Sequence, residues 1–427
     1  MTINPYTPGF GQRPLVVVGR ERQLARGHET LLTVAGTGRA STSPLVLLGV
    51  RGIGKTVALG LLRDDAEREG FVTVLVRLDR VSSTAQLITS GVAEQIAPLA
   101  AQGASGHWRR FTELIAQLSI DVSIAGVVTV GRRPTESEPD VLTERQVLAR
   151  SLISAAQIAR EDGRPGLAVF IDEIQEARVN DLVVLVNALQ DALTAPDTPV
   201  AVFAAGLPDS PARLMAAGSF AERFEFTVLE PFDARQATAA LVGPAVRVGV
   251  SWDAAAADLL AQESGGSPYL VQLFGDAAWR AGRPASGDVI GRADADAAIA
   301  AARESLQAGM FPGRWARCTD GERELLIAIA TVADAEGVAA SDAITAVLGK
   351  SGTPGWSRVR ASLINKGYIV PRGRGKLGFS IAGFRDYVLG LDESSAGPRT
   401  RPGASAGLRA EQVPLGELPA GPASGDQ

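Results

Sequence analysis

The stretch Gly49-Val50-Arg51-Gly52-Ile53-Gly54-Lys55-Thr56 decides how this chain is read. It fits the spacing G-x-x-x-x-G-K-[ST], and its surroundings agree. Pro44–Val50 is a short apolar run bounded by Pro and Gly, which reads as a buried strand, and Lys55–Glu69 carries a helical pattern. Strand, loop and helix in that order are the context in which this spacing binds phosphate. Glycines let successive backbone N–H groups turn inward around an anion, and the helix N-terminus adds positive potential. Residues Gly49 to Thr56 are therefore expected to cradle a nucleotide. Lys55 would reach the β- and γ-phosphates, and the Thr56 hydroxyl would help hold Mg²⁺.

A second motif supports the first. Leu167–Ile171 is an apolar run ending in Asp172-Glu173. Two acids at a strand end suit metal-assisted phosphoryl chemistry, with Asp172 in the Mg²⁺ shell and Glu173 as general base toward water. The plainer alternative is a pair of acids at the start of the next helix. Together with the upstream loop, the catalytic reading is preferred.

Around these motifs, strand-like runs (Phe71–Leu78, Val200–Ala205, Phe224–Leu229) alternate with helical ones (Thr84–Ala101, Val141–Glu161, Asn180–Thr194). That alternation predicts an α/β core, residues 1–230, with a parallel sheet covered on both faces. The alternating residues Ile120, Val122 and Ile124, then Gly126 and Val127–Val130, predict a β-hairpin insertion at about 115–142, packed at the sheet edge. From Pro231 the pattern is helical only. Residues 231–308 read as a small helical unit, with Ser251 and Ser267 as expected caps of its second and third helices. Residues 309–391 form a third unit. Residues 392–427 are rich in Pro, Gly, Ser and Ala without aromatics, which predicts a disordered tail.

Composition excludes other chemistries. The chain has 427 residues, enough for more than one core, but one cysteine (Cys318) and two histidines. One cysteine excludes a disulfide framework and a cysteine zinc cluster, and two histidines leave little for a histidine metal site or a Ser-His-Asp triad. Apolar runs are too short to span a bilayer, and the N-terminus lacks the pattern of a secretory signal. The expectation is a cytoplasmic protein with no membrane contact. Of 42 basic residues only four are lysines, and the net charge is −5.

The basic residues are unevenly placed. Residues 350–376 hold Lys350, Arg358, Arg360, Lys366, Arg372, Arg374 and Lys376 and no acid. Across residues 309–391 the sequence predicts three helices, the first opened by the capping box Thr319–Glu322. The second is capped by Ser341, and the third begins at Thr353-Pro354. Two short strands follow, joined by Pro371–Lys376. That order looks like a winged helix-turn-helix with Arg358, Arg360 and Lys366 on its recognition helix and Arg372, Arg374 and Lys376 on its wing. Local charge favours DNA as partner; a protein-docking role remains the alternative.

These features together resemble the AAA+/STAND group of P-loop ATPases, especially its origin-recognition initiator branch. Val18-Gly19-Arg20-Glu21 is similar to the box ahead of the first core strand, and the resemblance implies that Gly19 and Arg20 line the adenine pocket. It implies a core strand between the two phosphate-site motifs. Arg223, just before the last core strand, matches an arginine that senses or completes a γ-phosphate site; a surface salt-bridge partner is the plainer alternative. Gly266-Ser267-Pro268 resembles the turn of a helical lid whose proline approaches the base. The implied cofactors are ATP and Mg²⁺; the implied partners are ATP/ADP, DNA and a nucleotide-dependent homo-oligomer. Two departures stand out: Ala204-Ala205-Gly206-Leu207-Pro208 lacks the polar sensor residue of relatives, and no arginine follows Pro268 within a turn. The expectation is a slow Mg²⁺-dependent ATPase acting as a switch on DNA, or a signalling scaffold whose winged helix binds protein.

Overall fold

The computed structural model describes residues 2–9, 11–100, 106–117, 122–124, 127–129, 142–334, 337–381 and 383–395. Its core is a five-stranded parallel sheet, made of β1 (Leu45–Leu48), β2 (Val72–Arg77), β5 (Leu167–Asp172), β6 (Val200–Gly206) and β7 (Glu225–Val228) in the order β2-β5-β6-β1-β7. A short hairpin, β3 (Val122–Ile124) and β4 (Val127–Thr129), lies between β2 and β5 in the chain and pairs antiparallel. Within the expected insertion, 118–121, 125–126 (with Gly126) and 130–141 lie outside the described residues, and α4 (Gly106–Gln117) reaches into its start.

Because successive strand residues face opposite sides, the apolar strands feed two cores. Val46, Leu48, Val169, Ile171, Val202 and Ala204 face α3 (Thr84–Ala100), α5 (Glu144–Glu161) and α6 (Val179–Thr194). Leu45, Leu47, Phe170, Phe203 and Ala205 face α1 (Glu21–Thr37) and α2 (Lys55–Arg68), where Phe170 and Phe203 stack at 5.0 Å. Helix α7 (Ser210–Ala217) leads from β6 toward β7. β6 lies between β1 and β5, so a core strand separates the strand of the phosphate loop from the strand of Asp172.

The second unit comprises α8 (Ala234–Arg247), α9 (Ala254–Glu263), α10 (Pro268–Gly282) and α11 (Arg292–Ser305), with the two-residue strands β8 (Ser251–Trp252) and β9 (Val289–Ile290) pairing in parallel. Its caps are local in origin. Asp233 forms a capping box with Gln236, and Ser267 accepts from Leu270 N–H. The expected cap at Ser251 is corrected to Asp253, whose carboxylate accepts from Ala256 N–H; Ser251 is taken by β8.

The third unit holds α12 (Phe311–Ala316), α13 (Asp320–Val332), β10 (Val338–Ala340), α14 (Ser341–Val347), α15 (Ser357–Asn365), β11 (Ile369–Pro371), β12 (Lys376–Phe379) and α16 (Phe384–Ser395). The strands form an antiparallel sheet in the order β10-β12-β11. Thr319 and Glu322 make the capping box. Ser341 is the first helical residue of α14 rather than its cap, and Thr353–Trp356 is a 3₁₀ turn ahead of α15. The expected boundary at 308/309 falls inside a continuous helical run, because a π-helical turn at Leu306–Met310 joins α11 to α12. Leu306 and Phe311 are buried in one core shared by the second and third units, so no linker divides them. Helix α16 also runs through 392–395, past the expected start of the tail; 396–427 lie outside the described residues. Among the described residues no helix is long and apolar enough to cross a membrane.

Candidate nucleotide site

β1 ends at Leu48 and α2 begins at Lys55, so the quoted loop spans the C-terminal edge of the sheet. Two of its glycines are required by conformation: Gly52 and Gly54 sit at φ 84° and 93°, where a Cβ is strained. Gly49 is required by space, since a Cβ there would stand 2.6 Å from Ile53 Cγ2. Lys55 is buried and donates to Gly49 O at 2.9 Å and Val50 O at 3.1 Å. Burial pushes its ammonium down to about 8, against the opposing pull of Glu173 and Asp172. A buried cation bonded, among the described residues, to carbonyls of its own loop is placed to exchange them for phosphate oxygens.

The second motif meets the first directly. Thr56 Oγ1 donates to Asp172 Oδ2 at 2.9 Å, and Asp172 is 2% exposed. Asp172 Oδ1 accepts from Glu173 N–H at 2.9 Å. A hydroxyl and a buried carboxylate in contact are hard oxygen donors suited to Mg²⁺, so these two residues fit the implied ion. Glu173 stands at φ 55°, which aims its side chain off the strand line.

The expected adenine-pocket residues are placed around the same loop. Gly19 is left-handed (φ 68°), and a Cβ there would lie 2.9 Å from the Gln236 amide of α8. Arg20 is buried, donates to Ile53 O at 2.9 Å and lies 5.1 Å from the Phe232 ring centre; burial lowers its guanidinium. Pro268 opens α10, and the next residue, Tyr269, donates its N–H to Gly52 O at 3.4 Å. The helical unit therefore touches the loop at its tip.

Arg223 is not brought to this cluster. It precedes β7, whose Glu225 pairs with Leu45 at the start of β1, so it lies at the opposite edge of the sheet from the loop. It is exposed, and among the described residues it makes no ion pair. The six basic residues expected on the recognition helix and wing also divide. Arg358, Arg372, Arg374 and Lys376 are exposed. Lys366 donates to Glu322 Oε2 at 2.6 Å and to Arg317 O at 3.0 Å, and Arg360 buries its Nε without a partner.

Several residues at the site were not legible beforehand. Arg77, at the end of β2, comes within 3.5 Å of Asp172 Oδ2 because parallel register sets it beside that residue. Arg51 was expected in the loop, but its pairing with Glu176 at 3.3 Å was not. From the third unit, Gly367 presses on the loop: a Cβ there would be 3.2 Å from Val50 Cβ and 3.3 Å from Arg51 N. Arg314, buried on α12, donates to Gly367 O at 3.2 Å and lies 5.1 Å from the Tyr368 ring centre. Burial holds Arg314 down at about 10, with Arg317 and Arg51 adding to the effect.

The chain from Val16 through Phe203 matches the model of one family, the AAA ATPase domain. Residues 16–203 form an AAA ATPase domain. The match ends inside β6, so it contains the phosphate loop, Asp172 and Glu173. Residues 308–388 match a domain of unknown function (DUF8462). No curated protein sequence matches the chain. Among solved structures, the Walker-type ATPase PABY2304 of Pyrococcus abyssi is 15% identical with a TM-score of 0.56, over 88% of this chain and 97% of that one. The ORC2 protein of Aeropyrum pernix, solved in ADPNP–ADP complexes, is 13% identical with a TM-score of 0.57, over 91% of this chain and 97% of its own. These likenesses show the fold: an AAA ATPase domain followed by units laid out as in those proteins.

Proposed function

We propose that this protein is a nucleotide-controlled switch. It binds ATP with Mg²⁺ at Gly49–Thr56, hydrolyses it slowly, and uses its third unit, read as a winged helix-turn-helix, to bind DNA. The observation that carries this reading is the seat of Gly367 on Val50 and Arg51. Gly367 ends α15, the helix expected to recognise DNA, so a loop movement on nucleotide binding displaces one end of that helix directly. A ligand shifts such an equilibrium only by its different affinity for the two arrangements. Here the difference is local, since phosphates need the Val50–Arg51 backbone that Gly367 covers.

Within the site each residue has a distinct task. The backbone N–H groups of the loop and Lys55 hold the phosphates. Thr56 and Asp172 would hold Mg²⁺, which supplies neutralisation of phosphate charge. Glu173 takes the proton of the attacking water. Arg223, at the far sheet edge of its own chain, would serve the site of a neighbouring copy in a nucleotide-dependent homo-oligomer.

On DNA, the four exposed residues Arg358, Arg372, Arg374 and Lys376 supply the charge. Neutralising about three to four phosphates gives a slope of about −3 to −4 in log affinity against log salt. A protein-docking role draws on the engagement of Lys366 by Glu322 and on the burial of the Arg360 Nε, which thin the basic face. Fluorescence anisotropy of a mixed-sequence duplex, in ATP–Mg²⁺, ADP–Mg²⁺ and no nucleotide across a salt series, separates the two. Salt-steep binding that changes with nucleotide supports the DNA switch. No binding at low salt in any state moves the third unit to protein partners, and ATP binding without any turnover sinks the hydrolytic part.

A further inference from the structure

The end of β6 has neither a polar side chain for the phosphates nor room for one. A Cβ at Gly206 would overlap Ser210 Oγ and lie 2.6 Å from Ile174 Cγ2, and Leu207 and Pro208 follow. That strand end is nonetheless bonded to both halves of the nucleotide site. Gly206 O accepts from Gly49 N–H at 3.2 Å. Leu207 N–H donates to Gln175 Oε1 at 3.1 Å, in a buried contact. The other end of the same amide, Nε2, donates to Glu173 Oε2. The orientation is fixed by elimination: Leu207 N–H can only donate, so Oε1 must face it and the NH₂ must face the carboxylate. Gln175 is 6% exposed, and its turn is pinned by Arg213, which donates to Gln175 O and, at 2.8 Å, to Ala177 O.

We infer that Gln175 is a positioning residue for hydrolysis: it holds one carboxylate oxygen of Glu173, leaves the other for water, and ties Glu173 through Leu207 and Gly206 to Gly49 of the phosphate loop. This rests on Glu173 as the general base. In that step the water oxygen bonds to the γ-phosphorus while the bond from phosphorus to the β–γ bridging oxygen breaks. The water proton passes to Glu173, and ADP and phosphate leave. Glu173 sits in the left-handed region, so its side chain leaves the strand in a direction the strand itself does not fix. Gln175 supplies that restraint from the turn after β5.

The test uses the full chain and the variants Gln175→Ala, Gln175→Met and Glu173→Gln. ATP and ADP affinities of both Gln175 variants should stay within about twofold of the parent, while kcat falls about 10- to 100-fold. In a Glu173→Gln background, Gln175→Ala should add less than about twofold, because the two residues act as one unit. Amide hydrogen exchange gives a readout without turnover. In the parent, ADP binding should change protection at Gly49 and Leu207 together; in Gln175→Met it should change Gly49 alone, with Leu207 already fast. Full kcat in Gln175→Met would reduce Gln175 to a space-filler and overturn the inference. So would a loss in Gln175→Ala that multiplies with Glu173→Gln, or failure of both Gln175 variants to fold. If Glu173→Gln binds ATP and still turns over, the base assignment falls; if it is dead while the Gln175 variants keep their rate, only the role of Gln175 falls.

Discussion

Gly367 rests against Val50: a Cβ at residue 367 would stand 3.2 Å from Val50 Cβ, across a contact between the third unit and the phosphate loop. The turn is held there by Arg314, which donates to Gly367 O, and by Ser380 Oγ, which donates to the same carbonyl. The loop at Val50–Arg51 and the turn that follows α15 therefore share one small patch of backbone.

Gly367→Ala tests that contact. The residue sits at φ 69°, so alanine costs about 1–2 kcal/mol in backbone strain alone. Gly349→Ala is the control, since Gly349 has φ 59° and open space around its would-be Cβ. Thermal melts should show similar losses from strain, with an additional loss at 367. Only the Gly367 variant should weaken the effect of ATP on DNA affinity; equal behaviour of the two would show that the contact transmits nothing.

Lys55 sets a pH dependence for nucleotide binding. In the free protein burial holds it at about 8, and bound phosphate favours its charged form. Above pH 8 the bound state then holds more protons than the free state, so affinity must fall as pH rises, by up to about tenfold per unit. Below pH 8 it should be flat with respect to this group. Isothermal titration of ATP from pH 7 to pH 9.5 checks the sign. Lys55→Ala should weaken binding by about 2–3 kcal/mol and abolish the dependence.

Lys366 is held within its own unit by Glu322. Burial alone would raise the Glu322 carboxyl, but bonds from Lys366, Ser362 and the Thr319 N–H outweigh it and hold it below its usual range. Its stabilisation is present above the unfolded carboxyl range and is lost as pH falls through the folded value. Lys366→Met leaves a buried carboxylate unpaired, at a cost of about 2–3 kcal/mol after allowing for the partial exposure of the lysine. Acid denaturation should begin at higher pH in this variant than in the parent. The DNA salt slope should stay unchanged once the folded fraction is corrected for.

Arg372→Ala and Arg374→Ala should behave in the opposite way. Both side chains are exposed, so stability should move by less than about 0.5 kcal/mol. Each should reduce the salt slope of DNA binding by about one. A slope untouched by the double variant would exclude the β11–β12 loop from the DNA surface.

Arg223 provides a test of assembly. Arg223→Ala should bind ATP as the parent does, because Arg223 lies across the sheet from its own loop. Mixing it with Lys55→Ala should restore part of the turnover if one copy completes the site of the next. No recovery in any ratio would leave Arg223 a surface residue.

What the sequence determined by itself is the local chemistry. A Gly at 52 and at 54, a Lys at 55 and a Thr at 56 have few conformations compatible with a strand before and a helix after, so the loop was legible from one strand–turn–helix segment. The same holds for the Thr319–Glu322 box and the Ser267 cap, which act over three residues. Apolar runs such as Leu167–Ile171 and Val200–Ala205 named the buried strands because strands covered on both faces need apolar side chains at every position.

Only the tertiary structure decided the long-range pairings. Arg77 reaches Asp172 because β2 and β5 lie side by side in parallel register. Gln175 meets Leu207 because β6 is the neighbour of β5. Gly367 meets Val50 across more than three hundred residues, and Lys366, apparently one of a basic run, is claimed by Glu322 of another helix. Across the boundary expected at 308/309, Leu306 and Phe311 fill one core, and composition along the chain does not record which side chains share it. Pattern and spacing constrain a residue through its own backbone, whereas these contacts depend on which elements the packing of apolar faces brings together.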